Sequence, residues 1–98
     1  MRQVNFNINV LNSFSIKSIY PNPFNAETTI SIKAYENISP TIQLFNLKGD
    51  LLQEGIYKLK RSQNHFIKLS LDSYPTGLYF VRIESNKSII SKKIQLIK

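Results

Sequence analysis

Apolar residues recur at every second position in several short stretches of this chain, the period of a half-buried β-strand. Val4, Phe6, Ile8 and Val10 alternate with Asn5, Asn7 and Asn9, and Phe14 and Ile16 continue as a shorter extended piece. "TTISIKAY" puts Thr28, Ile30, Ile32 and Ala34 on one face, with Thr29, Ser31, Lys33 and Tyr35 on the other. "TIQLFNL" sets Ile42 and Leu44 against Phe45 and Leu47, and Gly49 in "LKGD" supplies the permissive backbone of a tight turn. "LLQEGIYKL" reads as the next strand, bent or bulged at Gly55. "HFIKLSL" opposes Phe66 and Lys68 to Ile67, Leu69 and Leu71. After the turn cluster "DSYPTG", "LYFVRIE" reads as a well-buried strand, apolar on both faces through Leu78, Phe80, Val81 and Ile83. The last strand, "IISKKIQLIK", splits into Ile90, Ile94 and Leu96 on one face and Ile89 and Ile97 on the other.

No segment sustains a 3.6-residue period, and β-branched and aromatic residues dominate, so no helix is expected. Six or seven short strands separated by turn signals predict an all-β, antiparallel β-sandwich, with a small barrel as the alternative. The 98 residues suit one core, because two would each be too small to be stable. The weakest internal boundary falls at "LNSFSIKS", residues 11 to 18, between the first alternating strand and the rest.

Composition narrows the function classes. There is no cysteine, which excludes disulfide staples and thiolate metal sites. No stretch approaches the roughly 18 apolar residues of a membrane-spanning helix, and "MRQVNFNINV" lacks the apolar core of a signal peptide. An intracellular mature protein and a piece of a longer chain both fit that start, and the strand pattern on which it opens favours the piece. The net charge of +7 arises entirely beyond residue 57, where nine basic residues face only Asp72 and Glu84. Such asymmetry suits an anionic partner or a plain solvated basic face.

Groups for catalysis are sparse. His65 is the single histidine and reads as a surface residue at a strand end. No G-x-S-x-G occurs, neither Asp50 nor Asp72 is marked as a partner for His65, and the three glycines stand singly rather than in a phosphate-cradling loop. "NLKGD" is too thin for a calcium loop. A non-enzymatic protein without cofactor or metal is expected. "YKLKRSQNHFIK" interleaves Tyr57, Lys58, Lys60, Arg61, His65, Phe66 and Lys68, a composition suited to single-stranded nucleic acid. Strand alternation, however, places Lys58 and Lys60 away from Tyr57 and Arg61 in a turn, and an edge strand guarded by lysines accounts for the pattern. No nucleic-acid partner is expected.

Two features remain. "YPNPFN", residues 20 to 25, is a stiff non-helical lead-in: Pro21 and Pro23 fix their own φ, and Tyr20 and Asn22 are pushed towards extended conformations. Asn25 is expected to close the turn through its side chain, with Tyr20 and Phe24 pinning the segment to the sandwich. At the far end, "SKKIQLIK" joins a basic pair to an apolar alternation, so it should dock in the sheet and leave Lys92 and Lys93 at the surface.

Four stretches then occur in order: "SIYPNPFNAETTI" (18 to 30), "IQLFNLKGDLL" (42 to 52), "SYPTGLYFVRIES" (73 to 85) and "SKKIQLIK" (91 to 98). Together they resemble the C-terminal sorting domain of the type IX (Por) secretion system, in its "type A" form. The resemblance covers residues 14 to 98. It implies an immunoglobulin-like β-sandwich of about seven strands that serves as an address rather than a catalyst. Such a domain directs an upstream cargo protein, delivered first to the periplasm, across the outer membrane. Partners implied are the outer-membrane translocon, shuttle and sortase-like proteins, the last removing the domain, with an indirect link to anionic lipopolysaccharide. The cargo would end secreted or on the cell surface.

By position, Gly77 and Tyr79 match the "sGxY" element, Gly49 the "nxxG" turn, and Tyr20, Pro21, Asn22, Pro23 and Phe24 the opening motif. The recognition signal maps onto Lys92, Lys93, Ile94, Leu96, Ile97 and Lys98. Thr76 replaces the usual serine, and the loop at Gln63 and Asn64 lacks a glycine common in the family. Residues 1 to 13 fall outside the match and are expected to be a linker or the last strand of the cargo domain, with any cut in their exposed part, before Tyr20. The "YPNPFN…TTI" start also resembles the immunoglobulin-like domain of flagellar hook-capping proteins. The alternative function is a retained carbohydrate-binding or adhesive β-sandwich, for which Tyr35, Tyr57 and Tyr74 are the candidate aromatics.

Overall fold

The structure, a computed structural model, describes residues 13–86 and 88–98. Strand β1 (Phe14–Tyr20) pairs antiparallel with β2 (Glu27–Ala34), and β2 pairs antiparallel with β5 (Asn64–Ser70). Strands β3 (Thr41–Asn46), β4 (Leu51–Ile56), β6 (Gly77–Ser85) and β7 (Ser88–Leu96) form a second antiparallel sheet in the order β4-β3-β6-β7. The inward alternation of each strand holds the two sheets together. Thr28, Ile30, Ile32, Ala34, Ile67 and Leu69 are buried on one side, and Ile42, Leu44, Tyr79, Val81, Ile83, Ile94 and Leu96 on the other. Two separate sheets that share no strand make this a sandwich, not the barrel alternative. The alternating stretch of Val4 to Val10 lies outside the described residues.

Bulges account for where the alternation misleads. Ile16 pairs with Ile32 and Ser18 with Ser31, so Lys17 is one residue too many on β1. An extra residue reverses every later side chain. Ile19 therefore turns inward, and Tyr20 turns out and is 76% exposed, rather than pinning the segment as expected. The same bulge keeps residues 14 to 20 in one strand, so the boundary expected at 11 to 18 falls partly inside β1. In β4 the irregularity sits at Leu52, not at Gly55. Leu44 faces Gln53 while Phe45 faces Leu51, and Leu52 packs against the core. Gly55 stays in register opposite Ile42, and a Cβ there would lie 3.1 Å from the ring of Tyr57, which covers it.

Strand β4 ends at Ile56. Beyond it Leu59 makes an isolated bridge with Ile38, so Lys58 and Lys60 flank a crossing between sheets rather than guarding an edge strand. His65 holds that crossing: its Nε2 lies 3.1 Å from both the amide nitrogen and the carbonyl oxygen of Lys60.

The β3–β4 hairpin depends on Gly49, whose φ of +90° lies where side chains other than glycine's are strained. Gly49→Ala should lower stability by about 1–2 kcal/mol from backbone strain alone, because no atom lies within 4 Å of the added methyl. Gly77→Ala, equally unobstructed and without a positive φ, should be neutral or slightly stabilising. Chemical denaturation of the two variants checks the contrast.

Candidate functional site

Antiparallel pairing decides which turns share an end of the sandwich. Tyr20 faces Thr29, Asn46 faces Tyr79, and Gly77 faces Leu96. The β1–β2 connection, the β3–β4 hairpin, the β5–β6 connection and the tail after β7 therefore gather at one end. Each of those segments holds part of one of the four stretches singled out in the sequence, and the first and last of them touch across 73 residues.

The opening stretch docks on the last strand. The Phe24 amide donates to the Gln95 carbonyl (3.0 Å), and the Ile97 amide donates to the Phe24 carbonyl (2.9 Å), forming a short parallel bridge. Asn22 extends it through its side chain: Oδ1 accepts from the Gln95 amide (3.0 Å), and Nδ2 donates to the Lys93 carbonyl (3.4 Å). The Phe24 ring is buried, and the buried Thr28 hydroxyl donates to the Pro21 carbonyl at 2.6 Å. Asn22 thus does the work expected of the Asn25 side chain. Asn25 contributes its carbonyl, which accepts from the Glu27 amide. Both the Tyr20–Pro21 and Asn22–Pro23 peptide bonds are cis.

The β5–β6 connection takes the other side of the tail. The Lys98 ammonium donates to the carbonyls of Asp72 (2.6 Å) and Tyr74 (3.2 Å), and its amide donates to the Thr76 hydroxyl (3.0 Å). A charged donor makes such bonds stronger than neutral ones. Thr76 therefore supplies the hydroxyl that serine would bring. Tyr79, buried near the start of β6, donates its hydroxyl to the Pro75 carbonyl four residues upstream, with the Tyr74 ring 6.2 Å away. This back-bond ties the β5–β6 crossing down at the entrance to β6.

Asn46 was not singled out in the sequence, yet it organises the β3–β4 turn. Its Oδ1 accepts from the amides of Lys48 and Asp50 and its Nδ2 donates to the Asp50 carboxylate. An asparagine three residues before a turn glycine is the available signal. This hairpin lies against Thr76–Tyr79 around a hollow of about 260 Å3.

The predicted tail residues divide into a buried pair and an exposed set. Ile94 and Leu96 are 1% and 0% exposed and belong to the core. Lys92 and Lys93 are exposed on opposite faces of β7, Ile97 is 48% exposed, and Lys98 is folded back on the β5–β6 connection.

The aromatics of the sugar-binding alternative do not assemble into a row. Tyr74 packs on Tyr79, Tyr57 covers Gly55, and Tyr35 lies just beyond β2, bonded to Ser15. At the opposite end, Asn37, Ser39, Lys58, Lys60 and Glu84 line an open cleft of about 770 Å3. Among the described residues no three His, Asp or Glu side chains come together to hold a metal ion, and no helix is long and apolar enough to cross a membrane.

Two sheets in the orders β1-β2-β5 and β4-β3-β6-β7, with a tyrosine bonded back at the start of β6, define an immunoglobulin-like sandwich. The sequence profile described as "Secretion system C-terminal sorting domain" matches residues 18–98, and the chain belongs to that family, whose members serve the type IX secretion system. A similar solved structure is that of dimeric latent PorU from Porphyromonas gingivalis, at 18% identity and a TM-score of 0.67. The match covers 98% of this chain and 10% of that one, so the chain spans about a tenth of that protein's length and the likeness concerns the fold. No curated protein matches. Membership makes the chain a sorting signal for export to the surface or beyond the cell, acting with that secretion machinery.

Two variants test this end. Asn22→Ala should cost about 1–2 kcal/mol of stability by leaving the Gln95 amide without its side-chain acceptor, read from denaturant midpoints. Tyr79→Phe should cost about 1 kcal/mol at neutral pH. Burial, with Tyr74 adding to it, raises the Tyr79 pKa above the usual tyrosine value. The neutral hydroxyl is favoured in the fold, so its contribution is complete below about pH 10 and is lost as pH rises through the higher folded pKa. Stability measured from pH 9 to 12 should fall less steeply in Tyr79→Phe than in the unaltered chain.

Proposed function

We propose that the chain is a non-catalytic C-terminal sorting domain read as a folded surface, with residues 14 to 98 forming the domain. The supporting observation is that turn or tail residues from all four family stretches meet at one end, where Asn22 and Phe24 hold the last strand in place. Translocon and shuttle proteins of the outer-membrane machinery then meet Lys92, Lys93, Gln95 and Ile97 together with the turns around them. Ile94 and Leu96 serve recognition indirectly, by fixing β7 on the core.

The geometry also favours delivery. Phe14 faces Ala34, at the end opposite Leu96, so a preceding cargo domain would join there. Eight residues of β2 at about 3.3 Å each put on the order of 25 Å between that junction and the motif end. The paired strand β1 begins at Phe14, which is fully buried, so removal by a sortase-like peptidase takes place before it. Of residues 1 to 13, the expected linker or cargo strand, residues 1 to 12 lie outside the described residues. Subsequent transfer of the cargo to anionic lipopolysaccharide would be the work of that peptidase, not of this domain.

The test is a periplasmic reporter carrying residues 1–98 at its C-terminus, expressed in a host with the secretion system. The fusion should appear on the surface or in the medium, while the reporter alone stays in the periplasm. A folded fusion retained in the periplasm would refute the reading.

A further inference from the structure

The outer edge of β7 is divided into a covered and an open half. In an antiparallel pair, residues alternately direct both backbone groups towards the partner strand and both away from it. The Gln95 amide and carbonyl point away from β6, since Asn22 and Phe24 take them, and the Lys93 carbonyl points the same way. The β6–β7 register runs without a shift from Gly77↔Leu96 to Ser85↔Ser88. By that alternation, the amides and carbonyls of Ile89 and Ser91 and the amide of Lys93 also point outward. None of them has a backbone partner among the described residues outside the strand ladder. Among the described residues, the cover on this edge runs from Lys93 to Ile97 and stops there.

The side chains at the open half are not neutral. Lys92 and Lys93 are exposed on the two faces of β7, and neither lies within ion-pair distance of a carboxylate among the described residues. Ile89, 53% exposed, sits on the same outer face as Lys93 and across from Glu84, which pairs with Arg82. A second copy of this chain would suit the edge poorly. Antiparallel self-pairing about Ser91 would bring Lys92 diagonally against its own counterpart at about 7–8 Å, like charge against like charge. An extended segment carrying Asp or Glu would complete the backbone bonds and neutralise both lysines.

We infer that the open outer edge of β7, from Ile89 to Lys93, is a strand-addition site for an acidic extended segment of a protein of the secretion machinery. The inference rests on the sorting reading and gives it a recognition mode: main-chain bonds supply the attachment, and the lysine pair supplies the choice of partner. The covered half plays the opposite part. With Asn22 and Phe24 occupying the edge beyond Lys93, an incoming strand has a fixed register and cannot slide towards the tail.

Ser91→Pro tests it. Proline removes the outward Ser91 amide and leaves the bonds to β6 intact, a position at which edge strands tolerate it. The reporter carrying residues 1–98 is compared with its Ser91→Pro form and with a Lys92→Glu/Lys93→Glu form, and thermal unfolding of each protein reports whether it is folded. Export should fall about tenfold or more in each folded variant, while the unaltered fusion is delivered. Full export of a folded Ser91→Pro fusion would overturn the inference and leave the sorting reading standing. Full export of the charge-reversed fusion would overturn the acidic partner, and it decides the matter should Ser91→Pro fail to fold. Concentration-dependent dimerisation of the unaltered chain, abolished by Ser91→Pro, would assign the edge to a second copy instead. Retention of the unaltered fusion would refute the sorting reading and the inference with it.

Discussion

Asn22 and Phe24 run beside the last strand, and the rest of the motif end depends on that contact. A free edge strand exposes a row of unpaired amides and carbonyls, a liability that folds cover or blunt. Two residues of the opening stretch satisfy the Gln95 amide and carbonyl, the Ile97 amide and the Lys93 carbonyl, and the Phe24 ring enters the core. Burying such a ring contributes on the order of 2 kcal/mol. The contact closes the sandwich by joining residues separated by about three quarters of the chain, and it keeps Leu96 inside.

The other turns at this end act on the same strand from different sides. Lys98 folds onto the carbonyls of Asp72 and Tyr74, and the Tyr79 back-bond to Pro75 holds the loop that receives it. Asn46 keeps the neighbouring hairpin compact around Gly49. The tail is thus a packed strand rather than a free peptide. Reading Ile94 and Leu96 directly would mean drawing both from the core, at roughly 1.5–3 kcal/mol each, whereas Lys92, Lys93 and Ile97 are accessible without any unfolding.

Much of this was legible in the sequence wherever one strand decides the outcome. The alternation in "TTISIKA" correctly picked out Thr28, Ile30, Ile32 and Ala34 as the inward set, and "IISKKIQLIK" correctly separated Ile94 and Leu96 from Ile89 and Ile97. The sandwich followed from strand number and turn spacing. Bulges were not legible: Lys17 and Leu52 carry no local mark, and the first of them alone turns Tyr20 from an inward to an outward position. The Asn22–Gln95 bond was also invisible, because both residues are ordinary polar residues until pairing brings them together. For the same reason the opening stretch and the tail read as opposite ends of the domain, although they touch. Gly77 keeps its place in the family pattern, and nothing in the structure requires glycine there.

Backbone amide exchange along β7 tests the docking most directly. Protection factors follow the free energy of opening, so a bonded edge amide and an open one on the same strand should separate clearly. The account predicts slow exchange at Gln95 and Ile97, approaching that of Val81 in the core, and fast exchange at Ile89 and Ser91. Fast exchange at Gln95 and Ile97, indistinguishable from that at Ser91, would show that the opening stretch does not hold the last strand and would contradict the account.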